Sequence, residues 1–468
     1  MIVGLAMLIP ATVDLFVSDI DWQVFLVAAA VALFVGGGLF LSNRGASLEL
    51  GRRQAFILTT AAWIIIPAFA ALPLAFSKLD ISYTDAFFEC MSGITTTGST
   101  ILTGLDNAPP GILLWRALLQ WLGGIGIVVM AIAILPLLRV GGMQLFRMES
   151  SDASSEKALP RLTQIVKAIC YIYLMLSLIC TLSLWMAGMT FFEAITHAMA
   201  TLSTGGFSTS DGSAGHFNSP LIESILVVFM IMGALPFLMY LHIIQGRPGS
   251  FLMDSQVRWL LTIILVSIIL MVTWQITKDD LNIWLALRYS TFTITSIITG
   301  TGFATTDYNA WGGFAGAVLF FLMFVGGCAG SASGGIKVYR FQIIAETLRC
   351  QVGQLIRPSG IFRPRYNNRP LTEETISAVV GFVFLFLIIY VALAIALSLT
   401  GLDFITSISA AATTITNVGP GLGDIIGPAG TFKSLPDSAK WLMSLGMLLG
   451  RLELYTVLVL FSRRFWQR

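Results

Sequence analysis

The run STGGFSTSD, Ser203–Asp211, sets the architecture because the chain writes it more than once. A second copy, TGTGFATTD, occupies Thr299–Asp307. Placing Gly206-Phe207 on Gly302-Phe303 brings Asp211 onto Asp307. GPGLGD, Gly419–Asp424, repeats the glycine-to-aspartate spacing, and a looser copy, ITTTGST around Gly98, has Thr103 where the others have Asp. Gly98, Gly206, Gly302 and Gly419 lie 108, 96 and 117 residues apart, each behind a run rich in Thr or Ser. A repeat of that period marks four similar units rather than one domain with a glycine loop.

The composition says where these units live. Of 468 residues, 56% are hydrophobic and 11% charged, with mean hydropathy +0.84. Soluble domains carry roughly 25% charged residues, so the chain reads as an integral membrane protein in contact with a lipid bilayer. A net charge of +2 without a long Lys/Arg run excludes a nucleic-acid groove. The five cysteines and three histidines are scattered, which fits neither a disulfide framework nor a zinc site. No Lys or Arg precedes Arg44, so the apolar N-terminus lacks the basic start of a cleaved signal peptide.

Spanning a bilayer takes about 17–25 apolar residues. Met1–Val17 and Trp22–Leu41 form an N-terminal helix pair, the first short and interrupted by Pro10 and Asp14. Each unit then reads as a long helix, a half-helix, a glycine turn and a long return helix. The half-helices are expected at Tyr83–Thr95, Phe191–Leu202, Ile283–Ile298 and Phe404–Ile415. The return helices are expected at Leu113–Leu138, Leu221–His242, Phe314–Tyr339 and Ala439–Phe461. Asp85-Ala86 and Glu193-Ala194 stand at matching places before their glycines, and Leu135-Pro136 matches Leu235-Pro236. The division is residues 1–54 for the helix pair, 55–147 for unit one and 148–247 for unit two. Unit three, with an intramembrane loop and a cytoplasmic linker, takes 248–369, and unit four 370–468. The fold class is therefore an all-α polytopic membrane protein with four such repeats around a single pore.

Basic residues collect at the linkers between units and at the C-terminal tail, among them Arg139, Arg147, Arg247, Arg340, Arg357, Arg363, Arg365, Arg369 and Arg463. Aspartates dominate the opposite side. The positive-inside rule puts both termini and the linkers in the cytoplasm and the glycine turns outside.

Irregular backbone at membrane depth is tolerated where it lines a watery or ion-filled path. Four Thr/Gly turns around one axis would form a ring of carbonyls able to replace the hydration shell of a cation. Half-helices aiming their C-termini at that axis would favour positive charge there. Asp211, Asp307 and Asp424, five residues beyond their glycines, are candidate outer-mouth acids; helix caps or loop solvation explain them equally. Glycine-mediated helix packing is the plainer account of any single turn.

With TTTGS, STGGF, TGF and TNVGPG at its four turns, the chain resembles the Trk/Ktr/HKT superfamily of potassium transporters, nearest the bacterial TrkH/TrkG branch because of the extra helix pair. The likeness covers essentially the whole chain. It implies a K⁺ filter of Thr96, Thr97, Gly98, Thr204, Gly205, Gly206, Gly300, Thr301, Gly302, Asn417, Val418 and Gly419. Some plant members carry Ser at the first filter position and favour Na⁺; Gly98 here tilts the expectation toward K⁺. VGGCAGSASGGIK, Val325–Lys337, holds too many glycines for an intact helix, each costing about 1 kcal/mol. It resembles the family's intramembrane gate, Gly330, Ser331, Ala332, Ser333, Gly334 and Gly335, with a kinked packing segment as the alternative. Arg451, in the apolar final helix, matches the family's pore-facing arginine barrier. Pairing with Glu453 or Glu89, or snorkelling to an interface, would also suit it. The resemblance further implies the cell inner membrane, a homodimer and a cytosolic nucleotide-binding regulatory subunit of the TrkA type. K⁺ is the transported ion, with no organic cofactor.

Two other functions share parts of this pattern. Gly421-Leu422-Gly423-Asp424 spells GxGD, seen in intramembrane aspartyl proteases, but the chain offers no second aspartate in a Tyr-Asp pair. The other alternative is an ion-coupled (H⁺ or Na⁺) cation symporter, which would bind at the midplane through broken helices. No nucleotide-binding fingerprint occurs, and nothing points to an enzyme.

Overall fold

The computed structural model describes residues 1–45, 51–133, 158–246, 249, 253–367 and 369–467. Leu135-Pro136 and the linker cations Arg139, Arg147 and Arg247 lie outside the described residues.

The four half-helices run Tyr83–Ile94, Phe191–Leu202, Ile283–Thr299 and Phe404–Thr416. A twelve-residue helix is only about 18 Å long, well short of the ~30 Å hydrocarbon layer. Each begins at a side-chain cap that accepts an otherwise unpartnered N–H. Ser82 takes Asp85 N–H at 3.1 Å, Thr190 takes Glu193 N–H at 3.3 Å, Asn282 takes Trp284 N–H at 2.9 Å and Asp403 takes Thr406 N–H at 3.1 Å. The repeated Asp85-Ala86 and Glu193-Ala194 are the third residues of two such caps.

Every half-helix packs against the outer helix of its own unit, Arg52–Ala75, Ala158–Met186, Ser255–Asp279 or Glu373–Ser398. Its other flank meets the return helix of the preceding unit, and the unit-four return helix packs on the first half-helix. The four units thus close into a ring. The N-terminal helices Ile2–Val17 and Asp21–Ser42 stand outside it, packed on each other and on the unit-one return helix, Pro110–Ala133. Their dock is polar: the Asp14 carboxylate fills the space beside Gly111 and accepts its N–H at 2.6 Å.

The return helices differ from the uninterrupted spans expected in units two and four. Among the described residues six helices are long and apolar enough to cross a membrane, eight if each of two bent pairs is one span. Ile2–Val17 and the first part of the unit-three return helix are shorter apolar helices. In unit two, Pro220–Ala234 and Phe237–Ile244 meet at 95°. Pro236 lacks an N–H and pushes Leu235 into extended backbone, φ −87°, ψ 157°. In unit four, Asp437–Arg451 turns through 107° into Tyr455–Phe461. There two successive non-glycine residues, Glu453 and Leu454, have positive φ, 57° and 51°. That conformation costs roughly 1–2 kcal/mol per residue, and the ion pair between Glu453 and Arg340 offsets part of it. The unit-three return helix is broken between Met323 and Val338, where the glycine-rich run forbids a continuous helix.

Close approach of the return helices depends on missing side chains. A Cβ at Gly123 would overlap the Ile94 carbonyl at the end of the first half-helix, and one at Gly450 would overlap the Ile415 carbonyl in unit four. Gly123→Ala is therefore expected to lower stability by about 1–3 kcal/mol, the usual cost of overpacking, seen as a lower melting temperature of the detergent-purified protein. Gly126→Ala, where a Cβ would meet open space, should melt like the wild type.

Candidate functional site

The C-terminal ends of the four half-helices share one backbone design. The residue two before each repeat glycine is left-handed: Thr96 φ 52°, Thr204 φ 53°, Gly300 φ 74° and Asn417 φ 55°. The next N–H folds back onto a carbonyl of the last helical turn, Thr97 to Ser92 at 2.8 Å, Gly205 to Ala200 at 2.8 Å, Thr301 to Ser296 at 2.9 Å and Val418 to Thr413 at 3.0 Å. This is the common left-handed helix C-cap, made four times. Glycine and asparagine occupy that conformation readily; Thr96 and Thr204 hold it at a cost. The glycines that follow are left-handed as well, with φ 87°, 77°, 82° and 104° for Gly98, Gly206, Gly302 and Gly419.

The glycines also define how the strands meet. A Cβ on Gly98 would overlap the Gly205 carbonyl oxygen, and one on Gly206 the Thr301 carbonyl. One on Gly302 would overlap the Val418 carbonyl, and one on Gly419 would come within 2.7 Å of the Thr97 carbonyl. Each glycine thus receives the carbonyl that precedes the glycine of the next unit, and the fourth unit returns to the first. All twelve residues named for the turns, Thr96–Gly98, Thr204–Gly206, Gly300–Gly302 and Asn417–Gly419, are brought together in this ring. Chemically it is a set of backbone dipoles packed without intervening side chains, suited to a partly dehydrated cation.

Polar groups behind the ring hold it. Ser99 donates to the Gly419 carbonyl at 2.9 Å, and Asn417 Nδ2 donates to Thr97 Oγ1 at 2.8 Å and to the Met447 carbonyl at 3.1 Å. Sequence reasoning missed the largest support. Arg116, 2% exposed, pairs with Glu89, 1% exposed, at 2.8 Å. Arg116 also donates to the Ser208 carbonyl at 3.0 Å and lies 4.1 Å from the centre of the Phe207 ring. Glu89 accepts the Ile101 N–H at 2.8 Å and the Thr100 hydroxyl at 2.9 Å. One ion pair therefore braces the strands of units one and two. Its sequence signal was a buried-looking charge in each of two apolar helices.

Above the ring a 250 Å3 cavity reaches Gly98, Gly206, Gly302 and Pro420, one from each unit, with Asp211 on its wall. The three candidate mouth acids are exposed and do not act alike. Asp211 accepts the N–H groups of Gly104 at 2.8 Å and Leu105 at 3.1 Å, tying two units together. Asp307 accepts the Asn309 N–H at 3.0 Å, capping a short 3-10 turn. In the same outer loops a hydrogen bond from Ser210, then the Asp211 backbone, hold the Asp106 carboxyl below the usual carboxylate range.

Below the ring the way is filled. The Gly326–Lys337 loop is stitched to the broken helix of unit two. Cys328 and Ala332 donate to the freed Ala234 and Gly233 carbonyls at 2.9 and 3.2 Å, and Phe237 N–H donates to the Gly330 carbonyl at 3.0 Å. Gly334 lies directly under the ring, where a Cβ would strike the Thr416 carbonyl. Arg451 donates to the Ala332 carbonyl at 2.9 Å. Among the described residues it forms no ion pair, since Glu89 holds Arg116 and Glu453 holds Arg340. The loop, Lys337, Arg340, Arg451 and Glu453 leave a void of only 20 Å3, about one water molecule.

A closed ring of half-helices facing an outer cavity, within a chain of long apolar helices, defines a polytopic membrane protein. The model of a cation transport protein family, TrkH, matches residues 21–468. The chain is 45% identical over 469 residues to the Trk system potassium uptake protein TrkI of Halomonas elongata, covering 100% of this chain and 95% of the relative. It is 37% identical to the TrkH protein of Escherichia coli K12, covering 98% and 96%. The crystal structure of the potassium transporter TrkH from Vibrio parahaemolyticus superposes with a TM-score of 0.91 at 34% identity, over 99% of this chain and 96% of that one. The chain belongs to the TrkH family, a transport protein and not an enzyme.

Glu89→Ala leaves Arg116 buried and uncompensated, and is expected to cost roughly 3–5 kcal/mol. Replacing both, as Glu89→Gln with Arg116→Met, should cost less than Glu89→Ala alone. Thermal unfolding of the wild type and the two purified variants checks the order.

Proposed function

We propose that the chain takes up potassium across the cytoplasmic membrane through a channel-like pore whose selectivity filter is the ring of backbone carbonyls. The observation that carries this reading is the cyclic contact of each unit's carbonyl with the next unit's glycine. Side chains are excluded there, so only carbonyl oxygens are left to replace ion hydration. The names of the relatives, potassium uptake proteins of Trk systems, support K⁺ as the ion. Gly330–Gly335 acts as the gate, because it fills the path directly below the ring. Arg451, tied to that loop, raises the barrier for a cation beneath the filter. Asp211, Asp307 and Asp424 add negative charge at the outer mouth, two of them while anchoring loops.

The unit boundaries given above, cytoplasmic termini and an inner-membrane location belong to the same proposal. So do a homodimer and a nucleotide-binding subunit of the TrkA type, which would dock on the basic face around the Arg365–Tyr366 and Arg369–Pro370 hairpin. A coupled symporter would need a membrane acid free to exchange its charge. Within the four units, the acids Glu89, Glu223 and Glu453 are each engaged by an arginine, and the buried Asp14 lies in the N-terminal pair outside the ring, which favours the pore.

In proteoliposomes, Gly206→Ser should sharply lower discrimination of K⁺ over Na⁺; unchanged discrimination would remove the filter. Current through the wild type should vary linearly with voltage and ignore pH and Na⁺. Arg451→Ala, and shortening of Gly330–Gly335, should raise K⁺ flux several-fold with the ion preference kept. Altered preference at unchanged flux would refute the gate and the barrier.

A further inference from the structure

We propose that Gln120 is a positioning residue for ion discrimination, tethering one filter carbonyl, that of Gly205, through its side-chain amide. The inference rests on the filter reading above. Gln120 is fully buried in the unit-one return helix. Its Nε2 donates to the Gly205 carbonyl at 2.6 Å, and its Oε1 accepts the Phe207 N–H at 3.0 Å. One planar amide therefore clasps the backbone on both sides of Gly206.

This clasp is peculiar to unit two. Among the described residues the equivalent carbonyls of Thr97, Thr301 and Val418 receive no side-chain donor from the protein. The residues around the clasp are adapted to it. Units one, three and four carry Thr97, Thr301 and Val418 at the position before the glycine, whereas unit two carries Gly205. A Cβ at Gly205 would overlap the Gln120 amide, so the amide stands where the other units have a side chain. Six residues before the glycine the other units have Ser92, Ser296 and Thr413, and unit two has Ala200. In unit three that hydroxyl secures the strand, Ser296 donating to the Phe303 carbonyl at 2.7 Å. Ser92 and Thr413 make no such bond and Ala200 has no hydroxyl to make one; in unit two Gln120 supplies that support from the neighbouring helix. Arg116, one turn earlier on the same helix, continues the clasp onto Ser208.

The chemistry concerns selectivity as well as stability. A smaller cation draws carbonyl oxygens inward, and a carbonyl tethered from behind resists that collapse. A hydrogen bond on the oxygen also lowers its field at the ion. Both effects act on ion choice, which depends on the number and field strength of the carbonyl dipoles and on the support that holds them.

The test compares K⁺ and Na⁺ uptake into proteoliposomes for the wild type, Gln120→Leu, Gln120→Glu and Gly206→Ser. Gln120→Leu removes both bonds. Gln120→Glu keeps the shape and, once ionised, an acceptor for Phe207 without the donor to Gly205, so its uptake is read at alkaline pH, where the carboxylate has no proton to donate. Both should lower the K⁺/Na⁺ ratio about fivefold, the size of one net hydrogen bond. The melting temperature is read alongside, because a merely structural bond moves it and leaves the ratio alone. If Gly206→Ser lowers the ratio while Gln120→Leu and Gln120→Glu keep it, Gln120 has no such role. A wild-type ratio in Gln120→Glu alone would equally overturn the proposal, since the donor would not be the cause. If Gln120→Leu does not reach the membrane, Gln120→Glu decides; loss of both marks a purely structural bond and overturns it. Unchanged discrimination in Gly206→Ser means instead that the filter reading itself has failed.

Discussion

A carbonyl oxygen of one unit resting against the bare Cα of the next unit's glycine is the contact on which this structure depends. Made four times in a closed cycle, it leaves no room for a Cβ at Gly98, Gly206, Gly302 or Gly419 without moving backbone. The half-helices, their caps and the glycine-lined faces of the return helices all serve that approach. A half-helix too short to span the membrane is useful here because its last turn ends at the axis. The left-handed cap then turns the chain back outward within a few residues.

Order in the ring comes from unequal supports. Units one and two share the Glu89–Arg116 pair and the Gln120 amide, unit three uses Ser296, and unit four is tied to unit one through Asn417 and Ser99. Desolvating a charge pair is expensive, and it is retained where hydrogen bonds satisfy both partners. Glu89 and Arg116 meet that condition on backbone and hydroxyl groups of the strands themselves. Below the ring the same economy of broken helices recurs. Interrupting the unit-two return helix at Pro236 frees carbonyls that the Gly326–Lys337 loop then uses. That loop could not sit at membrane depth without such partners.

Much of this is legible in local sequence signals. Ser82 with Asp85, Thr190 with Glu193, and Asp403 start half-helices within a residue or two of the expected places, because capping chemistry acts over three residues. Gly300 and Asn417 are residue types that favour the left-handed cap, while Thr96 and Thr204 disguise the same conformation. The bends at Leu235-Pro236 and Glu453-Leu454 interrupt spans that hydropathy alone reads as continuous helix. The first had a proline to warn of it. The second has a residue type that hides it: Glu453 takes the left-handed cap position without being glycine or asparagine, and its carboxylate pairs with Arg340, more than a hundred positions away.

The sequence alone specified four glycine turns, the apolar lengths between them and the break after Met323. Periodicity, composition and glycine content act through neighbours along the chain. Which carbonyl meets which glycine, and which buried acid serves which arginine, were left to the tertiary structure. Glu89, Glu453 and Arg451 could each have paired in several ways on paper. Packing assigned the two acids to Arg116 and Arg340 and turned Arg451 onto the Ala332 carbonyl. Such choices rest on distances between residues remote in sequence, and only the closed ring of units fixes those distances.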